Sequence, residues 1–254
     1  MSLPAFRTVI GTECEDFWAI TREVMVPAWP QFMLHDSVSD RYWPELFDRF
    51  PEYQFMLAAA DSEEILAVGY SLPLAWDGAL DDLPDEGWDW AMTRGMEDYA
   101  EGRRPRVQCA LAVVVADEYR GRGLSAQAIR EMQSIGAGKG LRRLLVPARP
   151  TLKSAYPLTP IERYTTWQTP DGLPFDPWLR VHARLGGRIV KPCPRSMKVE
   201  APEAEWEQWT GMRFPESGEY VVPGGLVPVH IDRAADVGTY IEPNVWMCHW
   251  ADSR

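Results

Sequence analysis

Arg120, Gly121, Arg122, Gly123, Leu124 and Ser125 are the residues whose types and spacing most directly imply chemistry. They sit in Leu111-Ala-Val-Val-Val-Ala-Asp-Glu-Tyr-Arg-Gly-Arg-Gly-Leu-Ser125. Gly121 and Gly123 leave the backbone without side chains where a ligand could approach it, and the two arginines add positive charge. Helical patterning follows at once in Ala126-Gln-Ala-Ile-Arg-Glu-Met132. The unpaired N–H groups of that first turn, with the positive end of the helix dipole behind them, face the same space. Such a turn cradles a phosphate or pyrophosphate group. Neither G-x-x-x-x-G-K-[ST] nor G-x-G-x-x-G occurs in the chain, so the two commonest nucleotide cradles are not the explanation.

The elements that must position this turn are legible around it. The β-branched run from Leu111 to Val115 predicts a buried strand leading into the turn. Phe6 to Ile10 predicts a first strand, and Glu13 to Phe50 predicts two or three helices interrupted by Pro27, Pro30 and Pro44. Gln54–Ala60 and Ile65–Ser71 read as a hairpin through Asp61-Ser-Glu-Glu64. After the turn's helix, Gly136-Ala-Gly-Lys-Gly140 is a helix-ending segment and Arg142–Ala148 the next strand. A helix is predicted from Pro177, with Asp176 as its cap and Gly186 at its far end. Residues 76–105 mix Trp76, Trp88, Trp90, Met92, Met96 and Tyr99 with Asp77, Asp81, Asp82, Asp85, Glu86 and Asp89, and Asp89–Glu101 reads as an amphipathic helix. Residues 149–176 form a long connection, expected to close over a site as a lid. From Lys198 onward, strand-like runs alternate with turn residues and predict a terminal β-rich layer.

The spacing Arg120-x-x-Gly123-x-Ser125 resembles the pyrophosphate-binding signature of the GCN5-related N-acetyltransferase superfamily: Arg or Gln, two residues, Gly, one residue, then Gly or Ala. Tyr119 and Val115 fit the same strand-and-turn pattern. Ser125 departs from it, but is small and placed to cap the helix. Val181-His-Ala-Arg-Leu-Gly-Gly187 resembles the family's Leu-Tyr-x-x-Leu-Gly-Phe segment, with His182 at the tyrosine position. The resemblance covers about residues 5–200. It implies an α/β fold with a mixed, strongly twisted central sheet and helices on both faces. The whole of 1–254 then reads as one acyltransferase domain, carrying insertions at 76–105 and 149–176 and a β-rich C-terminal extension at 200–254.

The resemblance also implies a function. Acetyl-CoA, or coenzyme A, would lie against Val113, Val115, Arg120, Gly121, Arg122, Gly123, Leu124 and Ser125, with a backbone N–H of the Val113–Val115 region helping to stabilise developing negative charge on the carbonyl oxygen. The acetyl group would pass to a small-molecule amine. His182 would give a proton to the departing thiolate, as the family's tyrosine does, with Tyr156 and Tyr164 as rival donors. Gln108 and Cys109 occupy the stretch where some members place a basic Glu, so Glu242, His249, Asp89, Glu97 or a water chain are the candidates for that task. A Cys109–His182 pair would support covalent acyl transfer or hydrolysis instead. A noncatalytic acyl-CoA-binding protein and a thioester hydrolase on the same fold are therefore the alternatives.

Composition sets the outer bounds. The 254 residues carry a formal net charge of −11, which argues against nucleic acid as the main partner and is compatible with a cationic amine. Twelve tryptophans could line a pocket or fill a core. No apolar run is long enough to span a membrane, and Met1–Arg7 lacks the pattern of a signal peptide. The four cysteines lie far apart with no C-x-x-C pair, as expected of free thiols in a cytoplasmic protein. No metal-ligand spacing occurs. A homodimer is compatible with all of this.

Overall fold

The computed structural model describes residues 4–250. Among these residues nine strands form one mixed sheet. In chain order they are β1 (Phe6–Ile10), β2 (Phe55–Ala59), β3 (Ile65–Leu74), β4 (Val107–Val115), β5 (Arg143–Ala148), β6 (Arg188–Ala201), β7 (Gly218–Tyr220), β8 (Val229–Asp232) and β9 (Val237–Trp250). The helices are α1 (Phe17–Met25), α2 (Ser37–Arg49), α3 (Gly87–Ala100), α4 (Leu124–Gly138), α5 (Ile161–Tyr164), α6 (Pro177–Arg184) and α7 (Glu203–Thr210). Neighbouring strands run β1-β2-β3-β4-β5-β9-β8-β7, and β6 also pairs with β9. Among these pairs only β4 and β5 are parallel.

Alternation along the central strands divides the apolar residues between two faces. Cys109, Leu111 and Val114 of β4 join the cluster with Phe17, Leu46, Trp88, Met92 and Trp206, so α1, α2, α3 and α7 cover one face. Ala110 of β4 packs with Leu124, Ala128, Ile129 and Met132 of α4, Tyr164 of α5 and Leu179 of α6 on the other. We call these the α3 face and the α4 face. The burial of Leu124, Ala128, Ile129 and Met132 shows why α4 forms where it does: those positions make one apolar stripe at helical spacing.

The insertions are built into this frame. Residues 76–105 supply α3, whose buried stripe includes Trp88, Ala91, Met92 and Met96; the helix starts two residues before the sequence predicts. Residues 149–176 hold α5, a short 3-10 segment at Lys153–Ala155 and a Gln168–Pro174 bridge, with Ile161 and Tyr164 in the core. The segment expected as a lid is thus packed onto the α4 face over part of its length. The C-terminal extension completes the sheet as expected, and adds α7.

Candidate active site

β4 and β5 hydrogen-bond only through Gln108↔Leu144 and Cys109↔Leu145. Beyond that rung they part, so from Ala110 to Val115 β4 has no partner on its β5 side. A bulge contributes to the separation. Tyr70 of β3 pairs with Ala112 and Ser71 with Ala110, which leaves Leu111 as an extra residue, and bulges sharpen local twist. The outcome is a slit between two parallel strands, lined by unpaired backbone groups that must find a partner elsewhere. Val113 and Val115 border it and are partly buried against the α4-face cluster.

The glycine turn stands at the end of the slit. Gly121 and Gly123 have φ of 74° and 85°, values that L side chains rarely adopt. Gly123 caps α4 and no side chain caps it in turn. The expectation that Ser125 caps the helix is therefore corrected: Ser125 lies inside the first turn, one residue past the first helical position. The first intrahelical bond is donated by Gln127 to the Gly123 carbonyl at 3.2 Å, so the N–H groups of Leu124, Ser125 and Ala126 are unengaged. A Cβ built on Gly121 would meet nothing within 4 Å. Arg122 lies over the Tyr119 ring at 5.0 Å, with its Nε buried and unpartnered. Arg120 is exposed and paired with Asp117 at 2.8 Å. Free amides, open approach and an unpaired guanidinium nitrogen fit a pyrophosphate.

The expected proton donors are placed very differently from one another. Asp176 caps α6 by accepting from Trp178 N at 2.9 Å and Leu179 N at 3.2 Å, which confirms that element. The resemblance implies that His182 lies near the thiolate, but its ring is only 1% exposed. Its Nδ1 lies 2.8 Å from His249 Nε2, and His249 is opposite Leu144 at the closed end of the slit. Burial, reinforced by the neighbouring His249, lowers the His182 pKa to about 3; burial also lowers that of His249 to about 4. Both rings are neutral near pH 7. A Cβ on Gly187 would come within 2.5 Å of His249 Cε1, so the glycine standing where the family has phenylalanine makes room for the second imidazole.

Tyr164 is also 1% exposed, and its hydroxyl donates to Asp176 Oδ2 at 2.9 Å. Burial and the Asp176 charge push its pKa above the usual phenol range. Tyr156 is 36% exposed. Its ring packs edge-on against Trp167 at 5.0 Å and Phe175 at 5.8 Å.

The suggested bases differ: Glu242 is held in an ion pair, whereas Asp89 Oδ1 is buried with no partner among the described residues. Glu242 is fully buried, bound to Arg149 Nε at 2.5 Å and to the Tyr240 hydroxyl at 2.5 Å. Arg149 also donates to the Gly224 carbonyl at 2.7 Å, tying the end of β5 to the C-terminal extension. Glu97 is exposed on α3. Asp89 shares the Lys198 N–H with buried Asp36, at 3.2 and 3.3 Å, and burial with the Asp36 charge pushes its pKa up to about 8. Cys109 points to the α3 face, whereas α6 with His182 packs on the α4 face through Leu179. The suggested Cys109–His182 pair does not form, and burial pushes the Cys109 thiol up.

Two features were missed from sequence. The Leu111 bulge gives no signal, because Leu111–Val115 is an unbroken apolar run. Asn244 does give one: it is a lone amide entering the buried run Val245-Trp-Met-Cys248. It is 2% exposed and contacts the Pro147 carbonyl and Ser196 Oγ from the α3 face.

A slit between two parallel strands with a glycine turn at its end is the arrangement the resemblance implies, and comparison with known proteins gives the same class. No family model matches the chain. It is 37% identical over 251 residues to the arginine N-acetyltransferase avaD of Aspergillus versicolor, covering 89% of this chain and 86% of that protein. In fold it is similar to the loading GNATL domain of CurA from Lyngbya majuscula, with a TM-score of 0.58 at 18% identity and 96% coverage of both chains. The GphF GNAT-like decarboxylase, solved with isobutyryl-CoA, superposes with a TM-score of 0.50 at 13% identity, covering 96% of this chain and 98% of that one. The chain belongs to the GCN5-related N-acetyltransferase superfamily. Within it, the protein is a coenzyme-A-dependent N-acyltransferase whose donor is acetyl-CoA and whose acceptor is an amine-type nitrogen.

Proposed function

We propose that this enzyme acetylates a nitrogen of arginine or of a small arginine-containing compound, with Val113, Val115 and the Arg120–Ser125 turn holding the donor. The observation that carries the reading is the slit beyond Cys109↔Leu145 with the free amides of Leu124–Ala126 at its end. The arginine acceptor is supported by the 37% identity to an arginine N-acetyltransferase over most of both chains.

Bound acetyl-CoA supplies the activated acetyl group. The protein's own work is then to orient the acceptor, exclude water and return a proton to sulfur. For that proton we favour Tyr156 over His182 and Tyr164. The Tyr164 phenol is committed to Asp176 and the His182 imidazole is buried, neutral and paired with His249, whereas Tyr156 is partly exposed to solvent. The chain's four cysteines are free thiols, which supports a reducing, cytoplasmic location. No described helix is long and apolar enough to cross a membrane.

Thiol release from acetyl-CoA, measured with and without a panel of amines, tests the reading. Release that depends on an acceptor and is fastest with arginine or an arginine-containing compound is expected. Release independent of any amine would make the protein a hydrolase, and binding without release a noncatalytic acyl-CoA protein.

A further inference from the structure

Three strands meet beside the slit on the α3 face, and one polar atom among them is left over. Asn244 Nδ2 donates to Ser196 Oγ at 3.0 Å and approaches the Pro147 carbonyl at 3.4 Å. Pro147 belongs to β5, two residues past the last rung that β5 shares with β4. Ser196 Oγ also accepts from the Trp88 N–H at 2.8 Å, and the Trp88 indole donates to the carbonyl of Leu111, the bulge residue on the opposite lip, at 2.9 Å. Asn244 is thus tied to both lips of the slit.

These contacts also fix which way its amide points. A carbonyl oxygen can only accept, so the Asn244 atom facing Pro147 must be the NH₂ group, and a flipped amide would set two acceptors against each other. Oδ1 then points elsewhere. It is buried, and no protein group donates to it. Leaving a buried acceptor unpaired is costly, and a residue held so firmly in that state calls for a donor.

We propose that Asn244 Oδ1 receives an N–H of the acceptor substrate and so positions the attacking nitrogen at the slit. An amide carbonyl is too weak a base to remove a proton, so its part is orientation: one N–H is fixed and the nitrogen lone pair is aimed along the slit. The ligand class is any acceptor whose reacting nitrogen carries an N–H, on an amine or a guanidino group. This inference rests on the acyltransferase reading above.

Steady-state thiol release tests it, with acceptor and acetyl-CoA varied separately in wild type, Asn244→Leu and Asn244→Ala. Both variants are expected to raise the KM for arginine, or for the best acceptor of the panel, at least tenfold while the KM for acetyl-CoA stays within twofold. The leucine variant keeps the branched shape without the polar atoms. The alanine variant, which relieves any clash, serves if leucine does not fold. A residue with only a structural part would lower the melting temperature and the active fraction but leave the acceptor KM alone. An acceptor KM within twofold of wild type in a folded variant would overturn the proposal. Thiol release by wild type that needs no acceptor would instead overturn the acyltransferase reading, so the two failures are distinguishable.

Discussion

The Trp88 indole donates to the Leu111 carbonyl at 2.9 Å, and Leu111 is the residue that the β3–β4 register skips. An N–H from the acidic, aromatic insertion therefore satisfies the carbonyl that the bulge turns away from its own ladder. The link gives residues 76–105 a definite task. They hold one lip of the slit in shape from the α3 face, rather than offering loose carboxylates to a substrate: Asp85 and Glu86 are engaged by Lys191 and Arg195.

Trp88→Phe removes that donor while keeping an aromatic ring. The lost hydrogen bond and the smaller ring together are expected to cost about 2 kcal/mol of stability. The bulge carbonyl then loses its fixed partner, so kcat is expected to fall several-fold while the Kd for acetyl-CoA, bound mainly from the turn, changes by less than about twofold. Urea unfolding and single-turnover thiol release check the two halves separately. An unchanged kcat in the folded variant would detach Trp88 from the slit.

Gly123 combines a φ of 85° with the capping position of α4. Gly123→Ala puts a Cβ into a left-handed conformation, with an expected stability loss of about 1 kcal/mol, and it sets a methyl group beside the free amides. Acetyl-CoA affinity is expected to weaken at least tenfold, about 1.4 kcal/mol, in calorimetric titration. Gly121→Ala at φ 74° carries the same strain, and its Cβ would enter the open space on the approach side. It should therefore weaken binding as well, and unchanged affinity in both folded variants would detach the turn from the cofactor.

Much of this was legible in sequence because it depends on local rules. The strand Phe6–Ile10, the hairpin strands and the Asp176–Pro177 helix start emerge from period, turn residues and capping, which act over a few positions. The glycine turn was legible for the same reason. What stayed hidden depends on distant partners. His182 occupies the right place in its motif, but its environment is set by His249 on the last strand and by Gly187, and no spacing rule connects residues 67 positions apart. Glu242 likewise looks like a spare carboxylate until Arg149, 93 residues away, is seen to hold it.

The pH dependence of stability follows from the two buried pairs. The His182 and His249 pKa values fall to about 3 and about 4 on folding, below the ~6.5 of an unfolded histidine. From pH ~6.5 down to ~4 the unfolded chain therefore binds more protons, and stability falls as pH falls. Asp89 has the opposite sign. Its pKa rises on folding to about 8, so between pH ~4 and ~8 the native state holds a proton that the unfolded chain has released, and stability falls as pH rises. Burial raises the Asp36 pKa as well, so on the acid limb the two carboxyls oppose the two imidazoles, while on the alkaline limb above pH ~6.5 the carboxyls act alone and stability falls with a slope on the order of 1 kcal/mol per pH unit. Urea midpoints at about pH 5, 6.5 and 8 test this. Asp89→Asn is expected to flatten the alkaline limb.

The proton donor separates by comparing two variants. Tyr156→Phe removes one exposed hydroxyl and leaves the ring against Trp167 and Phe175. If that hydroxyl protonates the departing thiolate, kcat should drop about 10²-fold or more, within the range of general-acid contributions, with little change in melting temperature or acetyl-CoA affinity. A donor acting on sulfur also makes turnover depend on the leaving group, so the loss should shrink with an acyl donor whose thiol is more acidic. His182→Ala should behave in the reverse way. It opens a cavity beside His249 and Trp178, costing about 2–3 kcal/mol of stability, while kcat measured below the transition falls less than in Tyr156→Phe and responds no differently to the thiol's acidity. A His182→Ala loss that vanishes with the more acidic thiol would return the proton to the imidazole and require the His182–His249 pair to open during turnover.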